Sequence, residues 1–395
     1  MWATRFVFAA NGGLFATWVS RIPAVRDDIG ATERGLGFAL LFIAVGSLIA
    51  MPLSGRMVST WGARRVTTVS IVVCALAYAV LGLAPNLVAI SVVLLFVGAG
   101  VGVWDVAMNV SAHAVEVRAG RTLMPGFHAA WSIGTVVGAG IGALAAKADV
   151  DPAVHFATLA GLVGGAAVFA TRSMPDQAAD EPDETGELLG DECAAERHVP
   201  KQRALIRDPR LIGLGMMTFC AAWAEGAAND WLALTLTDDR GASEALAALG
   251  FAVFAGAMTL GRVAGNQVVA SLGRVRSLRV GAVVAALGVV ALLGIPVLGV
   301  AYLGALLWGL GISIAFPLAM SAAGETPGRG PSAIATVATI AYSGFLVGPP
   351  LIGTLAHDVG LDRALWVVLA LTAGIFLLAG NARSVRGGRA ATVRG

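Results

Sequence analysis

Apolar segments of about 20 residues recur along the whole chain, each long enough to cross about 30 Å of hydrocarbon as a helix. Twelve can be drawn, at 7–26, 34–54, 66–84, 87–111, 124–146, 153–171, 209–236, 244–262, 279–297, 299–322, 332–357 and 362–381. Inside hydrocarbon every backbone polar group must be satisfied within the protein, so only helices and closed barrels span it. A barrel needs short segments of period two. These runs instead alternate alanine and glycine with valine and leucine, which suits helices packed closely through small residues. Of 395 residues, 57% are hydrophobic, 13% are charged and 51 are glycine, a balance foreign to soluble chains. The expected fold is an all-α membrane protein of twelve transmembrane helices. Arg5 before an apolar run has the look of a secretory signal, but Asn11, Gly12 and Gly13 interrupt that run and eleven spans follow, so the first helix is read as retained.

Charge sets orientation and domains. With the N-terminus cytoplasmic, 21 of the 27 basic residues fall on inside loops and tails, so both termini are expected in the cytoplasm. The main polar stretch, acidic from Asp176 to Glu196 and then basic, reads as a linker. The expected domains are a six-helix half at 1–172, a cytoplasmic linker at 173–207, a second half at 208–382 and a tail at 383–395. The halves echo each other. Thr17-Trp18 precedes Asp230-Trp231 by 213 residues, Gly62 precedes Gly273-Arg274 by 211, and Gly100-x-Gly102 precedes Gly309-x-Gly311 by 209.

Within the seventh span, Trp223 to Trp231 carries Glu225, Asn229 and Asp230. An ionised carboxylate at the centre of a membrane helix costs about 2.5–3.5 kcal/mol on the lenient scale, and such groups usually line a cavity or find a partner. Glu225, near mid-membrane, is the leading proton-coupling candidate, and the alternative is a neutral structural acid between helices. Asn229, one turn on, shares its face and suits either the Glu225 carboxyl or a substrate hydroxyl. Asp230 is a further proton-site candidate nearer the outer surface, where pairing with Arg21 across the outer mouth is expected; the alternative has Arg21 snorkelling to headgroups. His128, Trp131, Trp308, Tyr342 and Trp18 supply the rings of a sugar-like cavity, or else anchor at the lipid interface.

Twelve helices in two halves, with Gly55, Gly62, Arg64 and Arg65 after the second span, resemble the major facilitator superfamily. Ser59 and Thr60 replace the acid and first base of its signature loop. The resemblance implies gating roles for these four residues and for Gly273 and Arg274. Gly100-Val-Gly-Val-Trp-Asp105-Val-Ala-Met-Asn109 is similar to a pattern of the fucose-permease branch, which implies a proton site at Asp105; Asn109, four residues on and so on the same helix face, is a substrate-contact candidate, with His113 continuing the line. A helix-interface role is the alternative. The branch's acid in helix one is absent, and Arg21 stands there instead. Across the chain, Ala224-Glu225-Gly, Trp308-Gly-Leu-Gly311 and Gly344-Phe-Leu-Val-Gly-Pro-Pro350 resemble the YbjJ-type bacterial transporters of that branch.

These resemblances imply secondary active transport by alternating access, with proton symport of a small polar solute such as a sugar. Proton-antiport export of a metabolite or drug is an alternative, weakened because the fourth span lacks an arginine and the fifth lacks a Gly-Pro pair. A non-transporting membrane sensor is the alternative of another class. The expected partners are a small molecule, protons and the bilayer, with no nucleic acid, and the expected state is a monomer. No phosphate-binding Gly-x-x-x-x-Gly-Lys-Ser/Thr loop, metal-ligand spacing or nucleophilic triad is seen, and Cys74, Cys193 and Cys220 are far apart. No cofactor, metal or enzyme activity is expected.

Overall fold

The computed structural model describes residues 1–119, 123–175, 208–326 and 330–383. The linker from 176 to 207, with Cys193, and the tail from 384 lie outside the described residues. The first half comprises α1 (Trp2–Ser20), the short α2 (Ile22–Asp28), α3 (Glu33–Trp61), α4 (Ala63–Leu81), α5 (Leu87–Ala119), α6 (Met124–Lys147) and a sixth span. That span is α7 (Pro152–Leu159), a π turn at Ala160–Gly164 and α8 (Gly165–Thr171). The second half comprises α9 (Pro209–Asp238), α10 (Glu244–Leu272), α11 (Arg274–Gly294), α12 (Leu298–Ile312) with α13 (Ala315–Gly324), α14 (Gly330–Val359), and α15 (Leu361–Ala364) with α16 (Val367–Leu378). Eleven of these spans are long and apolar enough to cross a membrane. Beside them α1, interrupted by Asn11 and Thr17, is the twelfth; most of it is buried against α6.

Capping chemistry starts the helices where the sequence allows it. The Thr32 hydroxyl accepts from the Gly35 N–H at α3, and the Ser243 hydroxyl accepts from the Leu246 N–H at α10. Asp151 and Asp208 do the same for α7 and α9, each followed by proline at the first helical position.

The same landmarks measure the internal repeat. Thr32 and Ser243, Glu33 and Glu244, and Gly62 and Gly273 are each 211 residues apart, so α3 and α10 are matching helices of 29 residues. Both end at a glycine with φ near +80°, a backbone conformation costly for any residue with a Cβ. In the fourth and tenth spans the register is also 211. A Cβ on Gly98 would overlap the Ile43 carbonyl and one on Gly309 the Phe254 carbonyl; Gly100 meets Cys74 as Gly311 meets Ala285. The expected match of Gly100-x-Gly102 to Gly309-x-Gly311 is therefore two residues out, because close packing selects Gly98 and Gly100 as the counterparts. In the first and fifth spans the register is 210: Gly134 packs on Ala9 and Gly344 on Phe219.

Two expectations about ends change. Helix α3 runs seven residues past Ser54, so Gly55 lies inside a helix and the expected loop from Gly55 to Arg65 reduces to the turn at Gly62. Ser59 and Thr60 bond back to the Arg56 carbonyl, extending α3 rather than leaving it. Likewise α10 continues ten residues past Arg262 to Leu272. Arg262, the last residue of the expected eighth span and counted with the inside loop, is thus a residue within a long helix.

Candidate functional site

The two halves meet chiefly through α6 against α10 and α3 against α14. Between them, near the middle of the spans, lies a cavity. Its first-half wall is Phe15 from α1 with Trp131, Ser132 and Thr135 from α6. Its second-half wall is Glu225 and Asn229 from α9 with Phe254, Met258, Thr259 and Arg262 from α10. Glu225 and Asn229 share a face because they are four residues apart on a helix.

An ion pair dominates this wall. The Arg262 Nη2 donates to both oxygens of Glu225, at 3.3 and 3.4 Å, with the guanidinium 35% and the carboxylate 21% exposed. A carboxylate inside a membrane bundle thus carries its own counter-charge on the neighbouring helix. Opposite it, the Phe15 and Trp131 rings stack at 6.2 Å and 28°. The Trp131 Nε1–H is given to the Asn11 Oδ1 at 2.9 Å, which occupies the ring's one polar group and leaves an apolar surface on this wall. The Thr135 and Thr259 hydroxyls donate to carbonyls one turn back. By contrast, the Asn229 amide and the Ser132 hydroxyl have no hydrogen bond among the described residues, so both are available to a solute.

Of the residues expected to bind or couple, the structure brings Glu225, Asn229 and Trp131 together. His128 is exposed one turn before Ser132, edge-on to Phe8 at 5.4 Å. Tyr342 is exposed and lies 6.2 Å from Phe316. In the register of 210 it is the counterpart of Ser132.

Several expectations are corrected. Trp308 is 1% exposed and meets Phe254 edge-on from behind, so it supports the wall without lining it. Trp18 is buried in the first half against Phe156. Both fill the space between helices, where large rings exclude voids. Asp105 and Asn109 bond to each other, the Asn109 Nδ2 donating to the Asp105 carbonyl at 2.9 Å and its carboxylate at 3.2 Å. Neither is among the residues that line the cavity. Arg21 does not pair with Asp230. Its Nη2 donates to the Val150 carbonyl at 2.8 Å and lies 3.6 Å from Glu244, while Asp230 has no ion-pair partner among the described residues. Arg274 pairs with Glu325 at 2.7 Å, tying α11 to the end of α13 within one half. Arg64 opens the first turn of α4 and Arg65 is exposed beside it.

Sequence reasoning missed Arg262 as a site residue, since an arginine ending an apolar run reads as a loop. The repeat carried the signal. Gly273 matches Gly62, so α10 must extend to Leu272 as α3 extends to Trp61, placing Arg262 well inside.

The faces of the bundle are unequal. On the face away from the chain ends, Arg26 of α2 forms a bidentate pair with Asp238 at the end of α9 and also holds Asp27. With Arg21 to Glu244, two ion pairs therefore join the halves on that face. Burial alone would loosen the Arg26 proton, but the hydrogen bonds to Asp238 and Asp27 outweigh it and raise the group above its ordinary value. Among the described residues, no group of three or more His, Cys, Asp or Glu could hold a metal ion.

Comparison with known proteins agrees with this architecture. The sequence profile of the Major Facilitator Superfamily matches residues 1–331. An uncharacterized MFS-type transporter of Yersinia pestis is 33% identical over 386 residues, covering 97% of this chain and 95% of its own. Membrane protein MosC of Rhizobium meliloti is 29% identical, covering 93% of this chain and 86% of its own. Among solved structures, a D323A mutant of the nucleoside transporter NupG superposes with a TM-score of 0.78 at 13% identity, over 96% of this chain and 98% of that one. A D-xylose-proton symporter gives 0.73 at 13% identity, over 96% of each. Twelve spans in two matching halves, a cavity between them and these similarities lead to one conclusion: the chain belongs to the major facilitator superfamily, a family of multi-pass membrane transporters and not of enzymes.

Proposed function

We propose that this transporter is a proton-coupled symporter of a small polar solute, of the fucose-permease-like branch and similar to its YbjJ-type members, working as a monomer in the bacterial inner membrane with both termini cytoplasmic. The observation that carries the reading is the Glu225 to Arg262 pair on the cavity wall between the two halves. A carboxylate there is chemically able to take up a proton, and doing so releases Arg262; the site's charge then reports whether it is loaded. Alternation follows from two rigid halves rocking about a central site. The cross-half pairs of Arg26 with Asp238 and Arg21 with Glu244 close one face, which the distribution of basic residues makes the periplasmic face. Opening that face requires both pairs to break. Asp105 and Asp230 are proposed as secondary proton sites, and Asn229, Ser132, Tyr342 and His128 as contacts to solute hydroxyls. Similarity of fold to a nucleoside transporter and a xylose-proton symporter supports a small polar solute.

Proton flux into proteoliposomes, scanned over sugars, polyols, organic acids and amphipathic drugs, tests the reading. A polar solute should alkalinise the side to which it is added, and Glu225→Gln should abolish the alkalinisation. Proton release driven by drugs alone would replace symport with antiport export.

A further inference from the structure

The geometry points to an organic anion, a carboxylate borne on a small ring or polyhydroxy body, as the solute class of the central site; this rests on the proposed proton coupling at Glu225. The argument is charge balance. With the site empty, Glu225 and Arg262 sum to zero. If Glu225 takes a proton and a neutral solute binds, Arg262 loses its partner. The loaded carrier then passes a net positive charge through the state closed at both faces, with the half-buried Arg262 held only by neutral acceptors, a weaker arrangement than a charge-assisted pair. A carboxylate solute removes the problem. Its two oxygens take the guanidinium donors that Glu225 vacates, the geometry that arginine matches best.

The step balances. A proton from the medium joins the Glu225 carboxylate, the two hydrogen bonds from Arg262 to Glu225 break, and the solute carboxylate accepts bonds from Arg262 in their place. Release on the other face reverses each change, so one proton and one anion cross with no net charge. Arg262 is the one basic residue among those lining the cavity. The nearest histidine on α6, His128, lies against Phe8 outside the lining and within reach of the Arg262 charge, and one turn from Glu225 on α9 stands the neutral Asn229. The opposite wall fits the rest of such a solute. The Phe15 and Trp131 stack offers a flat apolar surface, while the Ser132 hydroxyl and Asn229 amide are unspent.

The test uses the full chain in proteoliposomes with matched neutral and carboxylate probes: glucose with glucuronate, galactose with galacturonate, inositol with quinate, and benzyl alcohol with benzoate. The expected result is proton uptake with at least one carboxylate and not with its neutral partner, at a rate unchanged by a potassium diffusion potential. A symporter of neutral solute with one proton would instead change its equilibrium accumulation about fiftyfold per 100 mV. Binding of the active carboxylate to Glu225→Gln, which frees Arg262, should tighten about tenfold while proton movement is lost. Arg262→Gln should lose the preference for carboxylate over neutral partner. Flux with a neutral probe, flux that follows the potential, or weaker binding to Glu225→Gln would overturn the anionic class and leave proton-coupled transport standing. Protons that move with no probe would overturn the coupling itself, and the anionic class with it.

Discussion

Removing Arg26 should open the face that it closes. Its guanidinium is 13% exposed and grips Asp238, which is 30% exposed, through two nitrogens, one of them at 3.0 Å. A hydrogen-bonded contact between charged groups at such burial contributes about 2 kcal/mol. The companion pair is weaker: Arg21 and Glu244 are 3.6 Å apart and Glu244 is 39% exposed, which puts it in the range of about 0–1 kcal/mol for exposed pairs. Losing about 2 kcal/mol shifts the closed-to-open ratio about thirtyfold, so a face open in about 1% of molecules becomes open in about a quarter. The assay is a distance distribution between spin labels at Asp28→Cys and Ser243→Cys, with Cys74, Cys193 and Cys220 replaced by alanine. Arg26→Ala should add a long-distance population, Asp238→Asn should match it, and the double variant should add little beyond either. Glu244→Gln should shift the distribution much less. An unchanged distribution in a folded Arg26→Ala protein would refute the assignment of this pair as the latch, and a larger effect from Glu244→Gln would refute the ranking.

Other outcomes follow from the same geometry. Gly98→Ala should destabilise the purified protein far more than Gly273→Ala, read as melting temperature in detergent. The first drives a Cβ into the Ile43 carbonyl, whereas the second meets nothing within 4 Å and costs about 1–2 kcal/mol for its positive φ alone. Glu325→Gln should loosen the junction of α11 and α13 by about 1–2 kcal/mol, since the 2.7 Å pair with Arg274 is about one-fifth exposed, with protease sensitivity rising at Gly273. Asp239 is raised to about 6 by burial first and by Asp362 and Asp238 next, against Arg240. Its folded form therefore holds a proton more tightly than the unfolded chain, whose carboxyl titrates near 3.9, and its contribution to stability grows as pH falls from above 6 toward 4. Asp239→Asn should flatten that part of the melting profile; an identical profile would contradict the assignment.

The number of spans, the two-half organisation and the anomalous charge at Glu225 were legible in the linear chain. Hydropathy and period are local properties, and an acid in an apolar run stands out wherever its helix points. Glycine spacing also revealed the repeat, but packing was needed to correct its register, because glycine is so frequent that only a backbone contact such as Gly98 on Ile43 singles out the true pair. What each side chain meets was decided by tertiary structure. Helix rotation turned Trp308 and Trp18 into the packing between helices, brought Arg21 to Glu244 and not to Asp230, and turned Arg262 of α10 toward Glu225. The last pairing joins residues 37 apart in sequence on neighbouring helices. A helix's hydropathy fixes only that it crosses the membrane. Its rotation and the depth of each charge are set by the surfaces of its neighbours, so the ion pair at the centre of the site appears only when the bundle is assembled.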